Sequence, residues 1–389
     1  MKAYVVGGAV RDRLLGETVR DRDWVVVGAT PEQLVAAGYT PVGREFPVFL
    51  HPVTHEQYAL ARTERKAGRG YRGFVFHAAP DVTLEQDLER RDLTINAIAE
   101  DPDGGGLIDP FGGRRDLEQR VLRHVSPAFA DDPVRLLRVA RFAARWPGFS
   151  IADDTQALLL RLVTEGEVDA LVPERVWQEV AHGLCEARPS RMFELLRAWG
   201  ALARLAPTLD IGLADVAPRQ WSLRALDAAP PRLRLRFACL CHALDTTAGG
   251  TTDGQPRLRA LCERWRVDND CRELALLAAR ERPLLQRGDA AFEAPQCLAL
   301  LQRCDAWRRP ERLEDALVAF GALAAASDDE AVAGTLRQRC ALVRRGLHAA
   351  AAVRVASLPA PLRERGGTAL GRALRDARLQ AITLAFART

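Results

Sequence analysis

The chain of 389 residues is too long for one small core and fits two or three domains at about 100–200 residues each. With 48% hydrophobic and 27% charged residues it is neither disordered nor fibrous, and no run approaches the roughly 18 apolar residues of a membrane span. A formal net charge of +4 excludes no partner by itself, but residues 1–150 balance their charges, so the basic excess lies beyond them. In chain order, strands are predicted at residues 3–6, 24–27, 48–51, 57–61, 74–77 and 107–109, with helices at 9–15, 31–37 and 84–99. After residue 125 β-branched runs nearly vanish, and Leu, Ala and Arg recur at helical spacing. The expected class is therefore α+β: a mixed α/β head over 1–125, an all-α neck over 126–215 and an all-α body and tail over 216–389. The first residues are too briefly apolar for a signal peptide, so a cytoplasmic location is expected. Eight cysteines without CxxC pairs or zinc spacing read as reduced, mostly buried thiols.

Two features of the head carry chemistry. Gly7-Gly8 stands between a strand and a helix, where a bare backbone and exposed N–H groups suit an anion such as phosphate; the plain alternative is a tight turn. Asp21 and Asp23 flank Arg22 at the start of an apolar strand, and residues two apart point to the same face. Two converging carboxylates repel unless a cation lies between them. Magnesium takes hard oxygen ligands of this kind, and paired carboxylates of this type support phosphoryl transfer. The alternative is a solvated turn neutralised by Arg20 and Arg22.

The segment Tyr4-Val5-Val6-Gly7-Gly8-Ala9-Val10-Arg11-Asp12, continued by Asp21-Arg22-Asp23-Trp24-Val25-Val26-Val27-Gly28, resembles the first motif of class II tRNA nucleotidyltransferases, the CCA-adding enzymes of the polymerase-β superfamily. Arg90-Arg91-Asp92-Leu93-Thr94-Ile95-Asn96-Ala97 is similar to the family's ribose motif, Ile108-Asp109-Pro110-Phe111-Gly112-Gly113 to its hinge, and Asp131-Asp132-Pro133-Val134-Arg135 to its base-selecting motif, whose first residue is usually Glu. Fainter echoes follow at Pro173-Glu174-Arg175-Val176-Trp177 and Asp305-Ala306-Trp307-Arg308-Arg309-Pro310. The resemblance implies a nucleotidyltransferase head that adds C, C and A to the 3′ end of tRNA from CTP and ATP with Mg2+. It implies metal binding by Asp21 and Asp23, and nucleotide binding by Gly8, Arg11, Arg91, Asp92, Asn96, Asp132, Arg135, Arg138 and Arg141. A poly(A) polymerase, or an enzyme adding only CC or only A, shares these motifs. A noncatalytic RNA-binding protein on a retained fold is the rival of another class.

The residues are compatible with that assignment. Asp92 and Asn96 are four apart, so on a helix both reach one ribose hydroxyl, or simply each other. Asp132-Pro133 also reads as a helix cap, and Arg135, Arg138, Arg141 and Arg145 form a stripe opposite Leu136, Val139 and Ala143. A carboxylate accepts from the exocyclic amine of cytosine or adenine while a neighbouring arginine donates to the adjacent ring nitrogen. Uracil and guanine offer a carbonyl and an N–H there, and each unpaired buried group costs about 1–3 kcal/mol. Asp132 with Arg135 would thereby accept C and A alone. Residues 62–72 read as a basic loop near the site, with Glu64 a candidate third acid. Relatives carry a histidine–aspartate metal domain downstream, but Ala243 follows His242 where aspartate is expected, so no phosphohydrolase activity is expected and His242 reads as a core histidine. Arginines of the helical part are expected to track the tRNA acceptor arm.

Overall fold

A computed structural model describes residues 1–42, 48–66, 74–247, 250–251, 254–288, 291–365 and 367–387. These divide into two compact units, residues 1–183 with 191–205, and residues 184–190 with 206–389.

The first unit is built on a seven-stranded sheet. Its strands are β1 Lys2–Val6, β2 Asp23–Val27, β3 Thr40–Pro41, β4 Val48–Leu50, β5 Gln57–Leu60, β8 Ala99–Asp101 and β9 Gly106–Ile108. They lie in the order β3-β4-β5-β2-β1-β8-β9, and only the β2–β5 pair is parallel. A separate hairpin pairs β6 Thr63–Lys66 with β7 Phe74–His77. Strand alternation builds a core on each face of β2. Val25 joins Val6, Leu84 and Leu88 on one side, and Val26 joins Leu34, Phe49 and Leu60 on the other. The helices of the head are α1 Gly8–Leu14, α2 Pro31–Ala36, α3 Leu84–Glu89 and α4 Gly113–Gln119. Reciprocal capping boxes start α2 at Thr30 and α3 at Thr83.

One expected element differs. The predicted helix over 84–99 stops at Glu89, continues as a 3-10 turn at Thr94–Asn96, and ends in β8. Tertiary hydrogen bonds take over the backbone there: the Thr94 amide donates to the Arg123 carbonyl at 2.9 Å, and the Val125 amide to the Asp92 carbonyl at 3.2 Å. The basic loop is in part strand, since Thr63–Lys66 pairs in β6; its residues 67–72 lie outside the described residues.

Beyond the head the first unit adds α5 Val134–Arg145, α6 Asp153–Thr164 and α7 Pro173–Leu184. Among its described residues the second unit is helical apart from a pair of two-residue strands, Thr246–Thr247 and Gly250–Thr251. Within it Leu233–Cys241 packs on Asn269–Gln286, Val216–Ala228 on Pro310–Ala326, and Glu330–Ala352 on Gly367–Phe386. Seven cysteines are buried and Cys185 is exposed; all are reduced. Among the described residues no helix is long and apolar enough to cross a membrane.

Candidate active site

Strand β1 turns directly into α1 at Gly7, whose φ of +71° is open to glycine and strained for other residues. A Cβ on Gly7 would also stand 2.8 Å from Nη1 of Arg91. The turn borders a cavity of about 600 Å3 lined almost wholly by polar side chains of the first unit. Of the residues expected at the site, Gly8, Arg11, Asp23, Arg91, Asp92, Asn96, Asp132, Arg135, Arg138 and Arg141 all line this one cavity. Asp21 lines a neighbouring cavity of about 670 Å3 with Arg20, Arg22 and His55, and Asp23 borders both.

Arg11 is buried at 5% exposure yet keeps its charge in company. It donates to Oδ1 of Asn96 and pairs with Asp12 at 2.6 Å, and its guanidinium lies over the rings of Trp146 and Phe142 at 4.8 and 5.3 Å. Desolvation lowers its basicity, and the Asp12 charge opposes that. Asp92 is likewise buried, and burial alone would raise its carboxyl. Instead Arg138, donating from Nε at 2.7 Å, and Asn96, donating from Nδ2 at 2.9 Å, hold it well below the usual carboxylate range. The Leu93 amide adds a third donor at 2.8 Å. The Asp92–Asn96 contact expected from helical spacing therefore exists, formed by the 3-10 turn rather than an α-helix.

The arginine stripe of α5 faces the cavity. Arg138 and Arg141 meet Glu179 of α7 at 3.7 and 2.7 Å, and Arg145 ties α5 to Asp12 of α1 at 3.2 Å. Arg135 donates to the carbonyls of Arg90 at 2.6 Å and Ala128 at 3.0 Å. The Asp132 carboxylate accepts both ends of the Arg175 guanidinium, at 2.9 and 2.7 Å, and the Val134 amide at 3.3 Å. The cap itself is Pro133, with no side-chain cap bond, so Asp132 stands one residue before the expected cap position; its carboxylate receives the first helical amide and faces the cavity as well. Glu64 pairs with Arg90 at 2.6 Å and Arg62 at 3.3 Å, so these arginines already engage the candidate third acid.

Asp21 and Asp23 differ from the paired acids Asp92, Asp132 and Glu179 of the cavity. Among the described residues neither accepts a side-chain hydrogen bond or joins an ion pair, in contrast to Asp87, which is fully buried between Arg90 and Arg91. Desolvation raises the Asp23 carboxyl above its ordinary value; Arg91 opposes this and the Asp21 charge adds to it. Two hard carboxylates close in sequence, neither held in an ion pair among the described residues, are a donor set suited to a divalent ion. No group of three or more His, Cys, Asp or Glu is placed to hold a metal among the described residues.

His242, at the degenerate metal motif, is buried at 3% exposure in the second unit. Its Nδ1 is 2.8 Å from Ser222 Oγ, its ring meets Trp221 edge-on at 4.4 Å, and burial beside Arg282 pushes its basicity well below the ordinary histidine value. Sequence reasoning passed over Glu179, Arg145 and Arg175 as site residues. The faint echo at Pro173-Glu174-Arg175-Val176-Trp177 was the available signal for α7.

A carboxylate pair at the head of a sheet strand, beside an arginine-rich cavity entered by a glycine turn, defines a nucleotidyltransferase. Residues 3–123 match the poly A polymerase head domain, and residues 148–212 match a probable RNA and SrmB-binding site of polymerase A. The multifunctional CCA protein of Leptothrix cholodnii is 54% identical over 98% of this chain and 96% of its own length. That of Variovorax paradoxus is 53% identical over 82% of this chain and 84% of its own. The chain belongs to the multifunctional CCA protein family. Its fold is similar to the Bacillus stearothermophilus CCA-adding enzyme solved with CTP, at 26% identity and a TM-score of 0.64, covering 98% of this chain and 88% of that one. The nucleotidyltransferase family uses divalent metal ions, a requirement that the Asp21 and Asp23 donors fit.

Proposed function

We propose that this chain adds C, C and A in turn to the 3′ end of tRNA, without a nucleic-acid template, from CTP and ATP. The observation that carries this reading is the single polar cavity that collects a glycine turn, the Asp23 carboxylate, the Asp92–Asn96–Arg138 group and the Asp132–Arg135 segment.

We assign those groups along a nucleotide from phosphate to base. Gly8 and Arg11 bind the triphosphate, because an unhindered backbone and a guanidinium fixed by Asp12 and Asn96 offer positive charge that needs no rearrangement. Asp92 and Asn96 face the ribose, with Arg91, Arg138 and Arg141 contacting the nucleotide around them. Asp132 accepts from the amine of C or A while Arg135 donates to the ring nitrogen beside it, an arrangement that U and G cannot complete. Asp21 and Asp23 would hold Mg2+. Bound there, Mg2+ would supply charge neutralisation for the phosphoryl transfer. The terminal hydroxyl of the RNA attacks the α-phosphate in line and pyrophosphate departs, so the protein's part is positioning and charge placement.

The division of labour proposed is a catalytic head at 1–125, a base-selecting neck at 126–215, and a body and tail at 216–389 whose arginines follow the acceptor arm. The buried, weakly basic His242 accords with a region without phosphohydrolase activity, and the protein is assigned to the cytoplasm. The test is transfer of α-labelled CTP to tRNA trimmed of its 3′ end by wild-type protein and by Asp21→Ala and Asp23→Ala. Transfer by wild type and its loss in both variants, with unchanged circular dichroism, is expected. Full transfer by either variant overturns the metal assignment.

A further inference from the structure

The carboxylate assigned to base reading does not stand alone. Arg175, in the first turn of α7, donates Nη1 to Oδ1 of Asp132 at 2.9 Å and Nη2 to Oδ2 at 2.7 Å. Two parallel charge-assisted bonds fix the plane of a carboxylate, where one bond would leave it a pivot. The side chains are 24% and 18% exposed, so the pair is largely withdrawn from water. The nearer arginine in sequence, Arg135, is held by the Arg90 and Ala128 carbonyls. Four residues along α7, Glu179 braces Arg141 and Arg138. One helix face thus supports the walls of the cavity with an arginine for the acid and a glutamate for the arginines.

We infer that Arg175 is a specificity-determining positioning residue: it fixes the plane of the Asp132 carboxylate so that the remaining lone pairs meet an exocyclic amine and nothing else. This rests on the reading of Asp132 as the acceptor for the base. The physical reason lies in what a loosened carboxylate does. Tied only by the Val134 amide at 3.3 Å, it turns about its Cβ–Cγ bond and makes room for a water. Such a water donates to the carboxylate with one hydrogen and to a uracil or guanine carbonyl with the other, which removes the mismatch. A carboxylate fixed at both oxygens has no such freedom, and the wrong base stays unpaired. Lysine, a point charge on a flexible stem, holds one oxygen and restores part of the constraint.

The test uses the full chain with single-nucleotide incorporation into trimmed tRNA. The kcat/KM ratio of CTP to UTP is measured for wild type, Arg175→Ala, Arg175→Lys and Asp132→Ala, together with the KM for tRNA. Arg175→Ala is expected to lower the ratio about 10-fold or more, the size of one lost discriminating contact, with the KM for tRNA unchanged. Arg175→Lys is expected to fall between Arg175→Ala and wild type. Should Arg175→Ala fail to fold by circular dichroism, the same ratio in Arg175→Lys decides: a drop supports the inference and a wild-type ratio overturns it. Equal losses for CTP and UTP in a folded Arg175→Ala also overturn it. If Asp132→Ala keeps the wild-type ratio, the base-reading assignment falls and the inference with it. If Asp132→Ala loses the ratio while neither Arg175 variant does, only the role of Arg175 falls.

Discussion

Replacing Asp92 by Asn removes a buried charge while keeping its shape. In the native protein Asp92 is 6% exposed and accepts from Arg138 Nε at 2.7 Å, Asn96 Nδ2 at 2.9 Å and the Leu93 amide at 2.8 Å. Asparagine keeps a carbonyl oxygen for Leu93 and Asn96 but turns an NH2 toward Arg138, so two donors oppose each other. Breaking a buried ion pair from one side costs about 3–5 kcal/mol. Glu179 lies 3.7 Å from Nη1 of Arg138 and takes up part of the lost partner, which places Asp92→Asn near the lower end, about 3 kcal/mol. For a unit of this size that corresponds to about 6–12 °C in Tm. The same reasoning gives a pH signature. Asp92 binds its proton far less readily folded than at its ordinary value of 3.8. Its stabilisation is therefore complete above that pH and declines as the solution is acidified below it. Thermal melts and urea titrations from pH 7 down to pH 3 measure both effects. Wild type is expected to lose stability steeply at the acid end, and Asp92→Asn to start lower and fall less. A variant melting within about 1 °C of wild type at pH 7 refutes the reasoning.

Three further outcomes follow from the packing. Gly7→Ala forces a side chain into a left-handed conformation and against Arg91, so about 1–2 kcal/mol of stability is lost and the KM for nucleotide rises, read by melting and steady-state kinetics. Arg236→Ala strips the carbonyls of Ala229, Leu184 and Glu186 of their donor, and a loss of about 3 kcal/mol is expected in urea titration with the nucleotide KM unchanged. Glu17→Gln weakens the clasp that Arg145 and Trp146 make on the segment just after α1, and a loss of about 1 kcal/mol is expected, shrinking in high salt because the pair is partly exposed.

The sequence makes some of this legible and hides the rest for identifiable reasons. Strands such as Lys2–Val6 and Asp23–Val27 announce themselves because each carries an apolar run bounded by turn residues. The arginine stripe of α5 is visible because Arg135, Arg138 and Arg141 repeat at helical spacing, and all three face the cavity. The helix expected over 84–99 fails because a periodic pattern contains no information about partners 30 residues away. The bonds from Thr94 and Val125 that end it are of that kind. Strand β6 carries Thr, Glu, Arg and Lys, residues that read as a solvated loop until Phe74–His77 pairs with them. Arg175 and Glu179 stand 38 to 43 positions from the acid and arginines they hold, so their roles appear only once α7 lies beside α5.

The proposed reading is that Asp132 and Arg135, without a nucleic-acid template, admit C and A and exclude U and G. The most direct measurement is sequencing of products made from tRNA ending at the position before its CCA, with all four nucleoside triphosphates and Mg2+ present. The account predicts C, then C, then A, and no extension of an unrelated RNA. A run of adenosines on either RNA, or uridine and guanosine entering as readily as C and A, contradicts it.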